Sequence, residues 1–212
     1  MPLVYDLQQQ YRRLLRPLAP LLARSGVTAT TVAITTLLAS LAYGIWLYQP
    51  FADHGPNPYP YLLLGPFLLV RMALNMMTEL LSGSEQTTPA GVYLREIGMV
   101  VADTALYLPF LDLIEFGLGW VIMIGLCGLA EFAGLLGRSV GASRRHDGPF
   151  ASGNRAFFFS SLGLFTAWAV FAHQPALHGI VMNWALLFAT LLALLTIFRR
   201  VRGGIQEARL RL

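Results

Sequence analysis

The chain has 212 residues, 56% hydrophobic and only 12% charged, with fifteen basic and eleven acidic side chains for a formal net charge of +4. Soluble domains carry roughly 25% charged residues, so this composition excludes a water-soluble globule. Its one cysteine, Cys127, excludes a disulfide framework or a CxxC metal site within one chain.

In chain order, residues 3–24 set Leu3, Leu7, Tyr11, Leu14, Leu15 and Leu22 against Arg12, Arg13 and Arg16, the pattern of an amphipathic helix at a membrane interface. Pro17 and Pro20 are expected to kink or divide it. No charged tip precedes an apolar core there, so the first apolar span is expected to stay in the mature protein. Lipid offers backbone groups no hydrogen-bond partner, so a spanning segment must be a helix of about 20 mostly apolar residues. Six stretches meet that need, at 28–49, 60–82, 90–112, 116–137, 155–173 and 177–198. The expected fold is an all-α integral membrane protein. A juxtamembrane amphipathic helix covers 1–25, a domain of six transmembrane helices covers 26–200, and a basic cytoplasmic tail covers 201–212.

Every basic residue is arginine, and apart from Arg71 and Arg95 they fall within 12–24, 138–155 and 199–211. The links at 50–59, 113–115 and 174–176 hold none. Because cationic loops stay on the cytoplasmic side during insertion, this pattern predicts an N-in/C-in topology. The arginines are not interleaved with stacking aromatics, so anionic lipid headgroups, and not nucleic acid, are the expected partner.

Ionisable residues inside the predicted spans are few: Arg71, Glu79, Arg95, Glu96, Asp103 and Glu131. Each costs about 2.5–3.5 kcal/mol on insertion scales, so such groups face a bundle interior or a wet cavity. Glu96 and Asp103, nearly two helical turns apart, share one face of the third span. Two readings stand: a polar cavity between the second, third and fourth spans, or a set of buried ion pairs without a ligand.

Other signals read as structural. His54, His146, His173 and His178 form no cluster, and Cys127 reads as a small packed hydrophobe. The four tryptophans suit interfacial belts and bundle packing. Phe157, Phe158 and Phe159 are expected to face lipid. Gly117, Gly119, Gly125 and Gly128 in the fourth span are expected to allow close helix approach, where a second copy or a partner membrane protein could pack.

Three stretches in order carry a resemblance. Gly26-Val27-Thr28-Ala29-Thr30-Thr31-Val32 is similar to a GxTANxVT entry into a first span. The second stretch runs from Arg71-Met72-Ala73-Leu74-Asn75 through Arg95-Glu96-Ile97-Gly98-Met99 to Asp103 and Phe110. The third is Arg144-Arg145-His146-Asp147-Gly148-Pro149 followed by Arg155-Ala156, and Glu131 lies between. Together they resemble the CDP-alcohol phosphatidyltransferases, six-helix membrane enzymes of phospholipid synthesis, over most of the chain. The family carries DxxDGxxAR, eight residues, then GxxxDxxxD on its second and third spans. The resemblance implies that acids there hold divalent metal against the pyrophosphate of a CDP-linked lipid, with a carboxylate as base for the attacking alcohol. A multi-pass protein of a bacterial inner membrane is expected, the all-arginine basic set being compatible with a GC-rich bacterial genome.

The departures fall on the chemistry. At the four acid positions stand Asn75, Thr78, Arg95 and Met99; a register shifted by one residue puts Leu74 and Met77 at the first pair. Glu79 replaces the glycine of the first motif, Ser82-Gly83 replaces its Ala-Arg, and Ser152 and Asn154 replace loop residues, leaving Arg155. A guanidinium at a ligand position repels a cation, and Arg95 is expected to pair with Glu79 or Glu96. The expected protein is a pseudoenzyme with a structural, lipid-binding or regulatory role in phospholipid biosynthesis, with no metal or other cofactor. Its partners would be membrane lipids with anionic headgroups, and a second copy or another membrane protein. Arg71, Arg144, Arg145 and Arg155 are the candidates for binding lipid or nucleotide phosphate. One alternative is an active transferase holding magnesium or manganese on Glu79, Glu96 and Asp103. The other is a small transporter or channel lined by Arg71, Glu96 and Glu131, although the repeats and broken helix pairs common in transporters are missing.

Overall fold

The computed structural model describes residues 13–48, 57–82, 89–114 and 116–211. Leu3 to Arg12 of the expected interfacial helix, His54 and Gly83 lie outside these residues. Among the described residues the regular elements are α1 (Leu18–Arg24), α2 (Ala29–Leu47), α3 (Pro58–Ser82), α4 (Pro89–Tyr107), α5 (Gly117–Leu136), α6 (Ser152–Phe171) and α7 (Pro175–Arg211), with 3-10 turns at Leu108–Leu113 and Gly137–Val140.

Local chemistry sets the helix ends. The chain breaks at Arg16 and Pro17, and α1 starts beyond, since proline lacks the N–H that a continuous helix would use. Gly26 then takes φ +80° and closes α1 with bonds from its own N–H to the Ala23 carbonyl and from Val27 N–H to the Leu22 carbonyl, the left-handed cap that glycine adopts freely. Thr28 caps α2 by accepting the Thr31 N–H at 3.1 Å. Pro58, Pro89 and Pro175 each occupy the first position of their helix, where a missing N–H has no consequence.

Among the described residues, four helices are long and apolar enough to cross a membrane: α2, α3, α5 with its following turn, and α7. Helices α4 and α6 are 19 and 20 residues long, but α4 carries Arg95, Glu96 and Asp103, and α6 carries Asn154 and Arg155. Helix α7 differs from the sequence expectation, which ends the last span near 198 and begins a tail at 201. It continues to Arg211, 37 residues in all, or about 55 Å at 1.5 Å per residue. That exceeds the roughly 30 Å hydrocarbon thickness. The extension is held by tertiary contacts: the Arg145 guanidinium packs against Gly203, and Glu207 accepts from Ser143 N–H and Oγ at 2.9 and 2.8 Å.

The helices pack as pairs, α3 with α6, α2 with α4 and α5 with α7, joined by α2 against α3. Glycine sets one close approach, because a Cβ on Gly44 of α2 would run into the Ala105 carbonyl of α4. Of the glycines expected to serve that purpose in α5, Gly119 does, since a Cβ there would meet the Phe116 ring and Leu186 of α7 at 3.0 Å, and Gly117 packs on Leu111, whereas Gly125 faces open space and Gly128 only touches Val100. One stretch of the core is aromatic. Tyr107 stacks on Phe159 at 3.6 Å, Trp120 and Phe110 surround them, and Trp120 donates to the Tyr107 carbonyl at 2.8 Å. Phe159 is therefore core and not lipid-facing, a correction imposed by helix periodicity, since only Phe157 of the three points outward. Cys127 is buried against Met123, as a small hydrophobe would be. A second apolar cluster of Ala29, Val32, Met77 and Leu81 receives Leu15, Ala19 and Leu22, docking α1 onto the bundle.

Candidate functional site

The other stretch of the core is charged. Arg71 on α3 pairs with Asp103 on α4 at 2.6 Å. The second oxygen of Asp103 meets Arg155 of α6 at 2.9 Å. Arg155 in turn meets Glu131 of α5 at 2.7 Å, and Glu131 meets Arg200 of α7 at 3.2 Å. These five side chains are all nearly or fully buried and alternate in sign across five helices. Lone buried charges carry several kcal/mol of desolvation cost, and alternation offsets it by giving each carboxylate two cations. Backbone carbonyls add to these contacts: Phe150 accepts from Arg155, Asp147 from Arg200 and Met99 from Arg71, while the buried Nε atoms of Arg71 and Arg155 have no partner among the described residues.

A second group lies nearer the arginine-rich loop. One oxygen of Glu96 receives both Arg95, at 3.0 Å, and Arg144 from the loop between α5 and α6. Arg95 also donates to Ser82 Oγ at 3.2 Å. Of the two partners expected for Arg95, Glu96 is the one seen.

Between these groups lies a cavity of about 560 Å³. Asn75, Thr78, Arg95 and Met99 all line it. Of the residues in the shifted register, Met77 is buried in the apolar cluster with Ala29 and Leu81 while Leu74 packs against that cluster. Both sequence readings of the charges are thus present together: ion pairs, and a cavity beside them. Glu79 and Asp103 line the space, as do Arg71 and Arg144. Among the described residues no three His, Cys, Asp or Glu side chains are grouped to hold a metal ion.

Two of the four expected phosphate-binding arginines are placed elsewhere. Arg155 is fully buried, with its guanidinium occupied by Asp103, Glu131 and the Phe150 carbonyl. Arg145 turns to Asp147 and Glu207, whose carboxylates raise its pKa further above the ordinary arginine value. Two cations that the sequence reading does not single out take part instead. Arg138 lines the cavity from the turn after α5, and Arg200, assigned to the region where the last span meets the tail, is a core residue. The +70 separation between Arg200 and its Ala130 contact leaves no local signal for its burial.

His146 lies at the cavity wall, on the loop bearing Arg144. Enclosure by protein and the Arg144 charge lower its pKa, opposed by Glu79 and Glu131. His173 and His178 stay apart from it, and His178 faces Thr166 at 3.3 Å.

No family model and no solved structure matches the chain. It is similar to inner membrane protein YnbA of Escherichia coli (strain K12), 34% identical over 202 residues, which cover 94% of this chain and 95% of that one.

Proposed function

We propose a function from this premise: the chain belongs to the family of inner membrane protein YnbA, and it is a multi-pass protein of the inner membrane. On our reading it is a catalytically silent member of the CDP-alcohol phosphatidyltransferase family. It crosses the membrane six times with both ends in the cytoplasm, and serves phospholipid metabolism as a lipid-binding or regulatory component. The observation that carries this reading is the cavity wall. The positions aligned with four metal-binding acids are Asn75, Thr78, Arg95 and Met99, all on that wall, and Arg95 is ion-paired to Glu96. Magnesium requires close oxygen ligands, mostly carboxylates and water, and neither a methionine nor a guanidinium supplies them.

Six spans result if α4 and α6 count with the four apolar helices. Their buried charges have partners on neighbouring helices, which lowers the cost of crossing. The arginines at 138–155 and 199–211 then share the cytoplasmic side. An active transferase with metal on Glu79, Glu96 and Asp103 is disfavoured, because Glu96 and Asp103 are each neutralised by two guanidinium groups. The transporter reading draws support from no observation beyond the cavity itself.

The test is CMP release from CDP-diacylglycerol by purified protein with an alcohol acceptor and magnesium or manganese. No release above background is expected. Release that a chelator abolishes would overturn the pseudoenzyme reading, and its loss in Glu96→Gln and Asp103→Asn would then establish the displaced site.

A further inference from the structure

Residues 142–147, between the turn after α5 and the start of α6, form no helix, yet their contacts are sorted. Ser143 and Arg145 bond to Glu207 of α7, and the Asp147 carbonyl accepts from Arg200 of the same helix. The residues between them, Arg144 and His146, line the cavity, where Arg144 reaches Glu96 of α4. Such alternation belongs to an extended chain, whose successive side chains point to opposite sides. The segment thus has one edge on α7 and the other on the cavity wall.

Its seat is shaped by three glycines. A Cβ on Gly134 would run into the Arg145 carbonyl, one on Gly137 into the Ser143 carbonyl at 2.8 Å, and one on Gly203 into the Arg145 guanidinium at 2.7 Å. Without those carbons a trough is left between the end of α5 and α7. The two edges are held unequally. The Arg145 and Glu207 side chains are 28% and 22% exposed, against 10% and 9% for Arg144 and Glu96, so water and salt reach the α7 side more readily. Glu207 also stands near the end of α7, and helix ends open more easily than helix centres.

We propose that the end of α7 is a latch on the cavity. Glu207 holds residues 142–147 in their trough, and its release lets Arg144 and His146 leave the cavity wall and opens the cavity to solvent. Access to the cavity is thereby set from the last turns of α7, whichever ligand the cavity takes and whether or not the chain is catalytic.

The experiment measures the segment and the cavity together in the purified full chain in detergent. Asn75→Cys places a thiol on the cavity wall for labelling with N-ethylmaleimide, while the native Cys127, buried in the core, reports whether the bundle stays closed. Adding Glu207→Ala is expected to speed hydrogen exchange of the Ser143 and Arg145 amides at least about tenfold, and labelling of the cavity thiol at least about fivefold. Cys127 is expected to stay unlabelled, and Gln206→Ala, at an exposed neighbour, to change neither rate. Gly137→Ala, which pushes on the Ser143 carbonyl from the opposite side, is expected to act in the same direction as Glu207→Ala. Added salt is expected to speed labelling when Glu207 is present and not in Glu207→Ala, a comparison that needs no folded glycine variant. Faster exchange without faster labelling overturns the latch, as do unchanged rates in both measurements or labelling that salt leaves unaltered when Glu207 is present. Labelling of Cys127 in step with the cavity thiol also overturns it, since the whole bundle would then have loosened.

Discussion

Glu131→Gln tests whether the alternating charges hold the bundle together. The carboxylate accepts from Arg155 at 2.7 Å and from Arg200 at 3.2 Å, so one neutralising substitution of the same shape strips two ion pairs. Breaking a buried pair from one side costs about 3–5 kcal/mol because the partner charge is left uncompensated. Here both partners keep something: Arg155 retains Asp103, and Arg200 retains the Ala130 and Asp147 carbonyls. The loss therefore sits at the lower end, about 3 kcal/mol. Reversible unfolding in mixed micelles, followed by the fluorescence of the core tryptophan Trp120, measures it. In Arg155→Gln the same pair is broken from its other side. The double variant should cost about 1–3 kcal/mol less than the sum of the singles, since contacting residues are not additive. A loss under about 1 kcal/mol for Glu131→Gln, or additivity within about 0.5 kcal/mol, would refute the network as a source of stability.

Two further outcomes follow, one from backbone contact and one from the electrostatics around an enclosed imidazole. Gly44→Ala forces a Cβ onto the Ala105 backbone carbonyl, which cannot rotate away as a side chain would, and should cost about 1–3 kcal/mol; Gly125→Ala, with open space around it, should stay within about 0.5 kcal/mol, and equal effects would contradict the α2–α4 contact. His146 has a folded-state pKa below its ordinary value, first through enclosure and then through Arg144 and Arg200, against Glu79 and Glu131. The unfolded chain therefore takes up its proton first, and stability present above about pH 6.5 is lost as pH falls from there toward the lowered pKa. Melting temperature should drop more steeply over that range for the wild type than for His146→Gln, and parallel curves would count against it.

Helix positions are legible in the sequence because a spanning segment must be long, apolar and helical. The ionisable residues of the spans are equally legible, since so few occur: of the six, Arg71, Glu96, Asp103 and Glu131 are buried, Arg95 is half-buried and Glu79 is exposed. Their pairing is less so. Arg155 resembles a phosphate-binding loop residue, yet its position one turn into α6 carries it behind Asp103 and Glu131. Arg200 stands among solvent-side arginines, and only the packing of α7 against α5 brings it to Glu131. The one-residue ambiguity between Asn75/Thr78 and Leu74/Met77 has no resolution along the chain, because a step of one residue turns a helical side chain by about 100°. In the fold Asn75 and Thr78 face the cavity, and Leu74 and Met77 the apolar cluster. The extension of α7 past Gly203 likewise depends on a loop some 60 residues earlier, which Glu207 holds.

The order in which the charges occur bears on how the protein is made. Arg71 and Asp103 leave the ribosome early and can neutralise each other. Glu131 comes next without a buried partner until Arg155 arrives, and Arg200 appears near the end of the chain. On the six-span reading, α5 enters lipid with an uncompensated carboxylate that costs about 2.5–3.5 kcal/mol until α6 joins it. A nascent chain cut short before α6 would keep that charge exposed to hydrocarbon, a mark by which membrane proteases could tell fragments from finished molecules.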